Sequence, residues 1–382
     1  MMTTKFLKVF ENAKIGEITV YTPEMTVHVF KGDQPGPICD IIIKDWDMFN
    51  LVLKRGDIGL GEAYMGELWE SSDLGAFLTY CSLNLEELKR YSSGSFLNRV
   101  FFYIYNNLIR MNTKYGSQKN ILEHYDIGND FYKLWLDPTM SYSSALRTHG
   151  NETLEEAQIN KYQRIINTLS VDGANLLEIG SGWGGFAEQA IKTGAQVTGI
   201  TISNEQYHFS KEKLQDKANI VLQDYRDINK VYDRIVSIEM FEAVGERYWQ
   251  TYFQKIKNSL AKDGKAMIQT ITIHDDIFQG YRRESDYIRH YVFPGGMLPS
   301  KSIFAKEAAK VGLSVSSMFE FGQDYAWTLK EWYKNFQHSK DILISKNYST
   351  KFLRAWEFYL QICVAGFASE KTNVMQVELV HG

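Results

Sequence analysis

The chain has 382 residues, enough for about two domains, one of them large enough to enclose a full α/β core. Its apolar share of 44% is that of a globular protein, and a formal charge of −4 makes nucleic acid a poor default partner, because phosphate-binding domains usually carry a basic surplus. Cys39, Cys81 and Cys363 are odd in number and outside any C-x-x-C pattern, which argues against a disulfide framework or a structural zinc site and fits a reducing cytoplasm.

Met1 to Phe10 mixes lysines with short apolar pieces and does not read as a signal peptide, and no run approaches the roughly 18 apolar residues of a membrane span. From Ile15 onward, Glu17–Tyr21, Thr26–Phe30 and Ile38–Ile43 cluster β-favouring residues between glycine and proline turns, which predicts short strands. Two amphipathic helices are expected at 46–53 and 68–78, giving a small α+β domain over residues 1–88.

Residues 89–119 form a connector that keeps Lys89, Arg90, Arg99, Arg110, Lys114 and Lys119 among Phe96, Phe101, Phe102, Tyr103 and Tyr105. A basic aromatic helix of this kind suits an anionic bilayer surface, at about 1 kcal/mol per basic side chain. Equally, it suits an interdomain helix packed on its neighbour.

After residue 120 the cadence becomes strand, loop, helix: strands near 175–179, 196–200, 219–222, 234–238 and 265–271, helices near 186–192, 204–215, 248–260 and 302–310. Alternation of this kind predicts a Rossmann-like α/β fold, a mostly parallel sheet with helices on both faces, whose ligands bind at the carboxyl ends of the strands.

Gly180-Ser-Gly-Trp-Gly-Gly opens the first helix of that series. The pattern G-x-G-x-x-G also serves dinucleotides. Two details favour S-adenosylmethionine: Glu178 places a carboxylate beside the loop, suited to a cationic amino-acid portion and unsuited to a pyrophosphate, and the second strand ends in Thr201-Ile-Ser without the acidic residue of a nicotinamide site. Gln206 is placed to reach an adenosine hydroxyl, and Asp224 and Tyr225 follow the third strand, from where adenine is approached. His274 and His290 lack metal-ligand spacing and read as solvated loop residues, and no metal is expected.

Seven ordered blocks then carry a resemblance: His124–Tyr132, Leu136–Ser144, Glu178–Gly185, Gln223–Asp227, Ser237–Gly245, Tyr291–Ser300 and Phe321–Tyr325. Together they resemble the cyclopropane fatty acid synthase family. The resemblance implies an S-adenosylmethionine-dependent methyltransferase that methylenates the double bond of an unsaturated acyl chain in a membrane phospholipid, working at the inner face of the membrane as a peripheral cytoplasmic protein, with a homodimer contact open to the small domain. It also implies donor contacts at Tyr142, Ser143, Gly180, Gly182 and Trp183, and a bound bicarbonate as base, held at Ser144, Glu242, Gln269, the amide of Ile271 and Tyr325. Ser144 and Gln269 stand where the family has Cys and His. Each still offers a hydrogen-bond donor, but the loss of a titratable imidazole leaves open an acyl-chain methyltransferase without ring closure. A lipid-binding protein with a decayed site and a small-amine methyltransferase are the remaining alternatives. Tyr281, Tyr287, Tyr291, Phe293, Trp327 and Trp332 lie in the segment that family members use to enclose the acyl chain.

Overall fold

The computed structural model describes residues 2–89 and 128–382. The basic connector therefore lies almost wholly outside the described residues, as do the first residues of the His124–Tyr132 block. Four strands near the amino terminus, β1 (Ile15–Tyr21), β2 (Val27–Lys31), β3 (Gln34–Ile43) and β4 (Trp69–Glu70), form one sheet in the order β2-β1-β3-β4. Alternation in β1 buries Ile18 and Val20 on one face and leaves Glu17, Thr19 and Tyr21 on the other, the period-two pattern of a half-covered sheet.

The helix expected at 68–78 starts later than its amphipathic pattern suggests and runs on to Leu83. Trp69 and Glu70 pair with Ile43 and Ile42, which puts the indole in the core, and the helix begins only at Leu74, where the Asp73 carboxylate accepts the Ala76 amide at 2.9 Å. The cap and the pairing of Trp69 win over the apolar spacing.

Seven more strands, β5 (Asn175–Ile179), β6 (Gln196–Thr201), β7 (Asn219–Leu222), β8 (Tyr232–Ile238), β9 (Leu260–Ile273), β10 (Leu313–Glu320) and β11 (Thr372–His381), form the second sheet in the order β10-β11-β9-β8-β5-β6-β7. Strands β5 to β9 are parallel; β10 and β11 run antiparallel at one edge. Leu176, Leu177 and Ile179 of β5 and Ile235 and Val236 of β8 are fully buried, the continuous apolar run of strands covered on both faces. The chain winds from β5 outward through β6 to β7, then returns to place β8 on the other flank of β5. That reversal opens a crevice at the carboxyl ends of β5 and β8, where such sheets bind ligands.

The small unit does not hang free. Helix Thr350–Ala368 lies between the two sheets' layers, with Arg354 donating to the carbonyl of Tyr64 (2.6 Å) and to Glu70 (3.0 Å), and Glu357 accepting from the Tyr64 hydroxyl (3.1 Å). One apolar cluster runs from Phe6 and Val20 through Tyr64 to Trp332, Phe358 and Leu360. At Gly61 the approach is so close that a Cβ would lie 2.4 Å from the Tyr287 ring.

Candidate active site

The glycine loop follows β5 and bends through left-handed backbone at Gly180 (φ +79°), Gly182 (φ +52°) and Gly184 (φ +78°), a path that side chains disfavour. Nothing stands within 4 Å of the Cβ position of Gly182, so the loop presents bare backbone to the crevice. A cavity of about 370 Å³ begins here, lined by Tyr142, Ser143, Glu178, Gly180, Gly182 and Trp183. Thr201, Gln206, Asp224 and Tyr225 line the same cavity, so all ten residues expected at a donor site meet in one place.

Two polar atoms at this end lack a partner among the described residues. Glu178 is buried, its Oε2 has no partner among the described residues, and burial drives its carboxyl well above the usual range against the pull of nearby Lys161. The Ser181 hydroxyl is likewise buried and unpartnered among the described residues. Both residues line the cavity, where an unpartnered polar atom is placed to meet a ligand. The rest of the wall is fixed internally. Thr201 donates to Gln206 at 3.0 Å, Asp224 is clasped by Arg226 at 2.7 and 2.8 Å, and the Trp183 indole donates to Asn129 at 2.7 Å. Tyr142 and Tyr359 join hydroxyls at 2.9 Å.

Past the loop the cavity turns apolar, with Ile271, Ile273, Val292, Phe293, Met297 and Phe367 among its walls. Tyr281 and Phe293 line it, whereas Tyr287 and Trp332 are fully buried in the core and Tyr291 is largely on the surface. The covering segment 281–297 is pinned by Arg289, which donates to Asp286 and to the carbonyl of Tyr281 (2.8 Å) and stacks over the Tyr281 ring (3.9 Å). His290, expected in a solvated loop, sits in a turn of π-helix (Ile288–Val292) against Arg55 of the small unit at 3.2 Å.

Between the two ends stand two carboxylates. Glu242 keeps Oε1 on the Ile271 amide and the Thr270 hydroxyl (3.0 Å), while Oε2 has no partner among the described residues. Burial, then repulsion from Glu239, raises its carboxyl to about 8. The second carboxylate, Glu239, was not singled out in the sequence although it lies three residues earlier in the same block. Its Oε1 accepts from the Ser144 amide (2.9 Å) and from Gln269 Nε2 (2.8 Å), and its Oε2 from the Tyr325 hydroxyl (2.6 Å). Burial raises this carboxyl too, and the three donors oppose that rise. Lys161 is also invisible to motif reasoning. Fully buried, it donates to Ser143 and Gln158 at 2.6 Å each, and burial lowers it to about 8 while Glu239, Asp137 and Glu178 pull the other way.

Residues 112–377 match the family model described as mycolic acid cyclopropane synthetase. The cyclopropane-fatty-acyl-phospholipid synthase of Escherichia coli (strain K12) is 34% identical over 90% of this chain and 88% of its own length. The chain belongs to this family. The tuberculostearic acid methyltransferase UfaA1 of Mycobacterium tuberculosis is 33% identical over 86% of the chain and 79% of that protein. Among solved structures, the cyclopropane synthase MmaA2 from Mycobacterium tuberculosis superposes with a TM-score of 0.65 at 29% identity, covering 69% of this chain and 97% of that one. The cyclopropane synthase CmaA1, complexed with SAH and CTAB, gives the same four values. The chain is thus an S-adenosylmethionine-dependent methyltransferase of the cyclopropane synthase family, and the bare loop and orphaned Glu178 fit that donor.

Bicarbonate fits less well. Of the groups expected to hold it, Gln269 and Tyr325 already serve Glu239, which the Ser144 amide also meets, and the Ile271 amide serves Glu242. Ser144 turns its hydroxyl to the Ala145 carbonyl (3.0 Å), and neither it nor Gln269 reaches the cavity surface. A further anion would have to settle beside two carboxylates with its donors taken, which Coulomb repulsion opposes in a buried site.

Proposed function

We propose that this enzyme transfers the donor's methyl group to the double bond of an unsaturated acyl chain carried by a membrane phospholipid, closing a cyclopropane ring. One observation carries the reading: a single cavity joins a donor loop to an apolar wall, with carboxylates at the junction. The sulfonium supplies an electrophilic methyl group; the protein's part is to align a weakly nucleophilic alkene with it and to exclude water, and such alignment contributes much of the acceleration in two-substrate reactions. The aromatic side chains of Tyr142, Tyr325, Tyr359 and Phe293 line the same cavity and suit the passing positive charge on the acyl chain. The name of the Escherichia coli relative supports a phospholipid as the carrier.

No helix among the described residues is long and apolar enough to cross a membrane. Access to the lipid is assigned to the basic aromatic connector, which would rest on an anionic bilayer. Charge reversal at Arg99 and Arg110 is expected to weaken vesicle binding in a salt-sensitive way, and binding indifferent to both salt and substitution would leave the connector structural.

Unsaturated phospholipid vesicles, labelled donor and fragmentation of the recovered acyl chains test the whole reading. A ring is expected. Methyl-branched or methylene chains would favour the second reading, motivated by Gln269 in place of an imidazole and by the name of UfaA1. Consumption of donor by soluble amines and not by vesicles would overturn both.

A further inference from the structure

We propose that the carboxylate of Glu239 is the base of this reaction, a built-in group standing where the resemblance places an exchangeable bicarbonate. The inference rests on the acyl-chain reading above.

Glu239 is the first residue beyond β8 and has left-handed backbone, φ +50°. For a residue other than glycine this conformation is sterically disfavoured. Such strain persists where the surroundings fix it, commonly at functional sites. Here the backbone amide donates to the Gln269 carbonyl at 2.8 Å, and the turn directs the carboxylate to the cavity wall.

The donors around it are polarised in one sense. Arg164, which can only donate, gives a hydrogen bond to Gln376 Oε1 at 2.6 Å. Gln376 must then offer its amide nitrogen to Gln269 Oε1 (2.9 Å), and Gln269 must in turn offer its own to Glu239 (2.8 Å). An arginine of helix Leu154–Leu169 thereby fixes, through Gln376 of β11, a glutamine as a donor toward the carboxylate. The glutamine that looked like a defect in an anion site is the partner a side-chain carboxylate requires. Three donors favour the ionised form of Glu239, while Glu242, with fewer donors and an unpartnered oxygen among the described residues, is the better holder of a proton.

The step balances without a further reactant. The alkene π pair forms a carbon–carbon bond to the methyl group as the sulfur–carbon bond breaks with its pair onto sulfur, leaving the other alkene carbon cationic. Glu239 takes a proton from the new methyl group, the freed C–H pair closes the third side of the ring, and the carboxylate becomes a neutral acid that releases its proton before the next turnover.

Full-length enzyme, unsaturated phospholipid vesicles and labelled donor, in buffer stripped of carbon dioxide and then supplemented with bicarbonate, test this. Wild-type turnover is expected to be the same in both. Glu239→Gly keeps the left-handed turn and frees the three donors, so its turnover should fall about 100-fold or more without bicarbonate and rise again when it is added. Glu239→Gln should stay low in both buffers, with S-adenosylhomocysteine affinity by calorimetry unchanged. Wild-type turnover that demands bicarbonate overturns the proposal while leaving the substrate reading intact, as does a Glu239→Gln enzyme with full turnover. Absence of product from wild type in every buffer overturns the substrate reading itself, and this proposal with it. If the variants fail to bind the donor analogue, the wild-type comparison alone decides.

Discussion

Two places in the cavity, the donor end and the junction where the carboxylates stand, treat their polar groups differently. At the donor end, Glu178 Oε2 and the Ser181 hydroxyl are buried without partners among the described residues, and the loop around Gly182 is bare backbone. At the junction, both oxygens of Glu239 are taken up by Ser144, Gln269 and Tyr325, while Glu242 keeps one oxygen without a partner among the described residues. An unmet polar atom in a protein interior is costly, on the order of 1–3 kcal/mol, so the donor end is arranged for a ligand that arrives and the surroundings of Glu239 for a group already present. The lesson is that site residues identified by type alone do not reveal whether they face a ligand or one another.

The largest expected effect breaks the comparison at the donor end. Glu178→Ala should raise the donor's KM about 10–100-fold, the worth of a charge-assisted hydrogen bond, while kcat at saturating donor changes little. Unchanged donor affinity by calorimetry would mean that the orphaned oxygen serves the sheet and not the ligand. At the junction Tyr325→Phe keeps the ring against Phe367 (centroids 4.4 Å apart) and removes one of three donors to Glu239. It is expected to lower kcat about tenfold with donor affinity intact, since a single hydrogen bond to a charged group is lost. A shift in the acidic limb of the kcat profile should accompany it, upward, because the lost donor had favoured the ionised carboxylate. A fall in donor affinity without any change in kcat would sink that division of labour.

Much of this was legible in the sequence, and for identifiable reasons. Strands β5, β6 and β7 lie where their apolar runs were read, each opening on one polar residue, Asn175, Gln196 and Asn219, and the glycines of the loop announce a backbone path that few other residues follow. The carboxyl-terminal elements were not read: helices Gly322–His338 and Thr350–Ala368 and strands β10 and β11 follow no strand-loop-helix cadence. Glu357 and Arg354 also interrupt the apolar face of the long helix, because they are buried against the small unit and paired across it. Within the site, Ser144 and Gln269 were found by position in a motif, but their role depends on Glu239, a side chain whose partners are 95, 30 and 86 residues away in sequence. Only the folded arrangement shows that a carboxylate fills the place an anion was expected to occupy. Lys161 and Arg289 escaped for a related cause, since a lone cation in a helical pattern normally points to water.

The smallest effect sharpens the comparison through stability. Glu242 has its carboxyl raised from 4.5 to about 8 by burial and by the neighbouring Glu239. Below about pH 4.5 the group is protonated in both folded and unfolded chains, and its folded environment costs nothing extra. As pH rises toward about 8 the unfolded chain ionises first, so stability is lost across that window, and the loss levels off once the folded group ionises too. Glu242→Gln cannot ionise, and its Oε1 can still accept from the Ile271 amide. Its Tm should therefore match wild type near pH 4 and exceed it by a few degrees near pH 8, on the order of 1–2 °C per kcal/mol for a chain of 382 residues. The slope will be reduced and not abolished, because Glu178 and Glu239 are raised in the same direction. Identical pH dependence of Tm in the two proteins would place the shared proton on Glu239 instead, and with it would fall the assignment of Glu239 as the ionised partner of the pair.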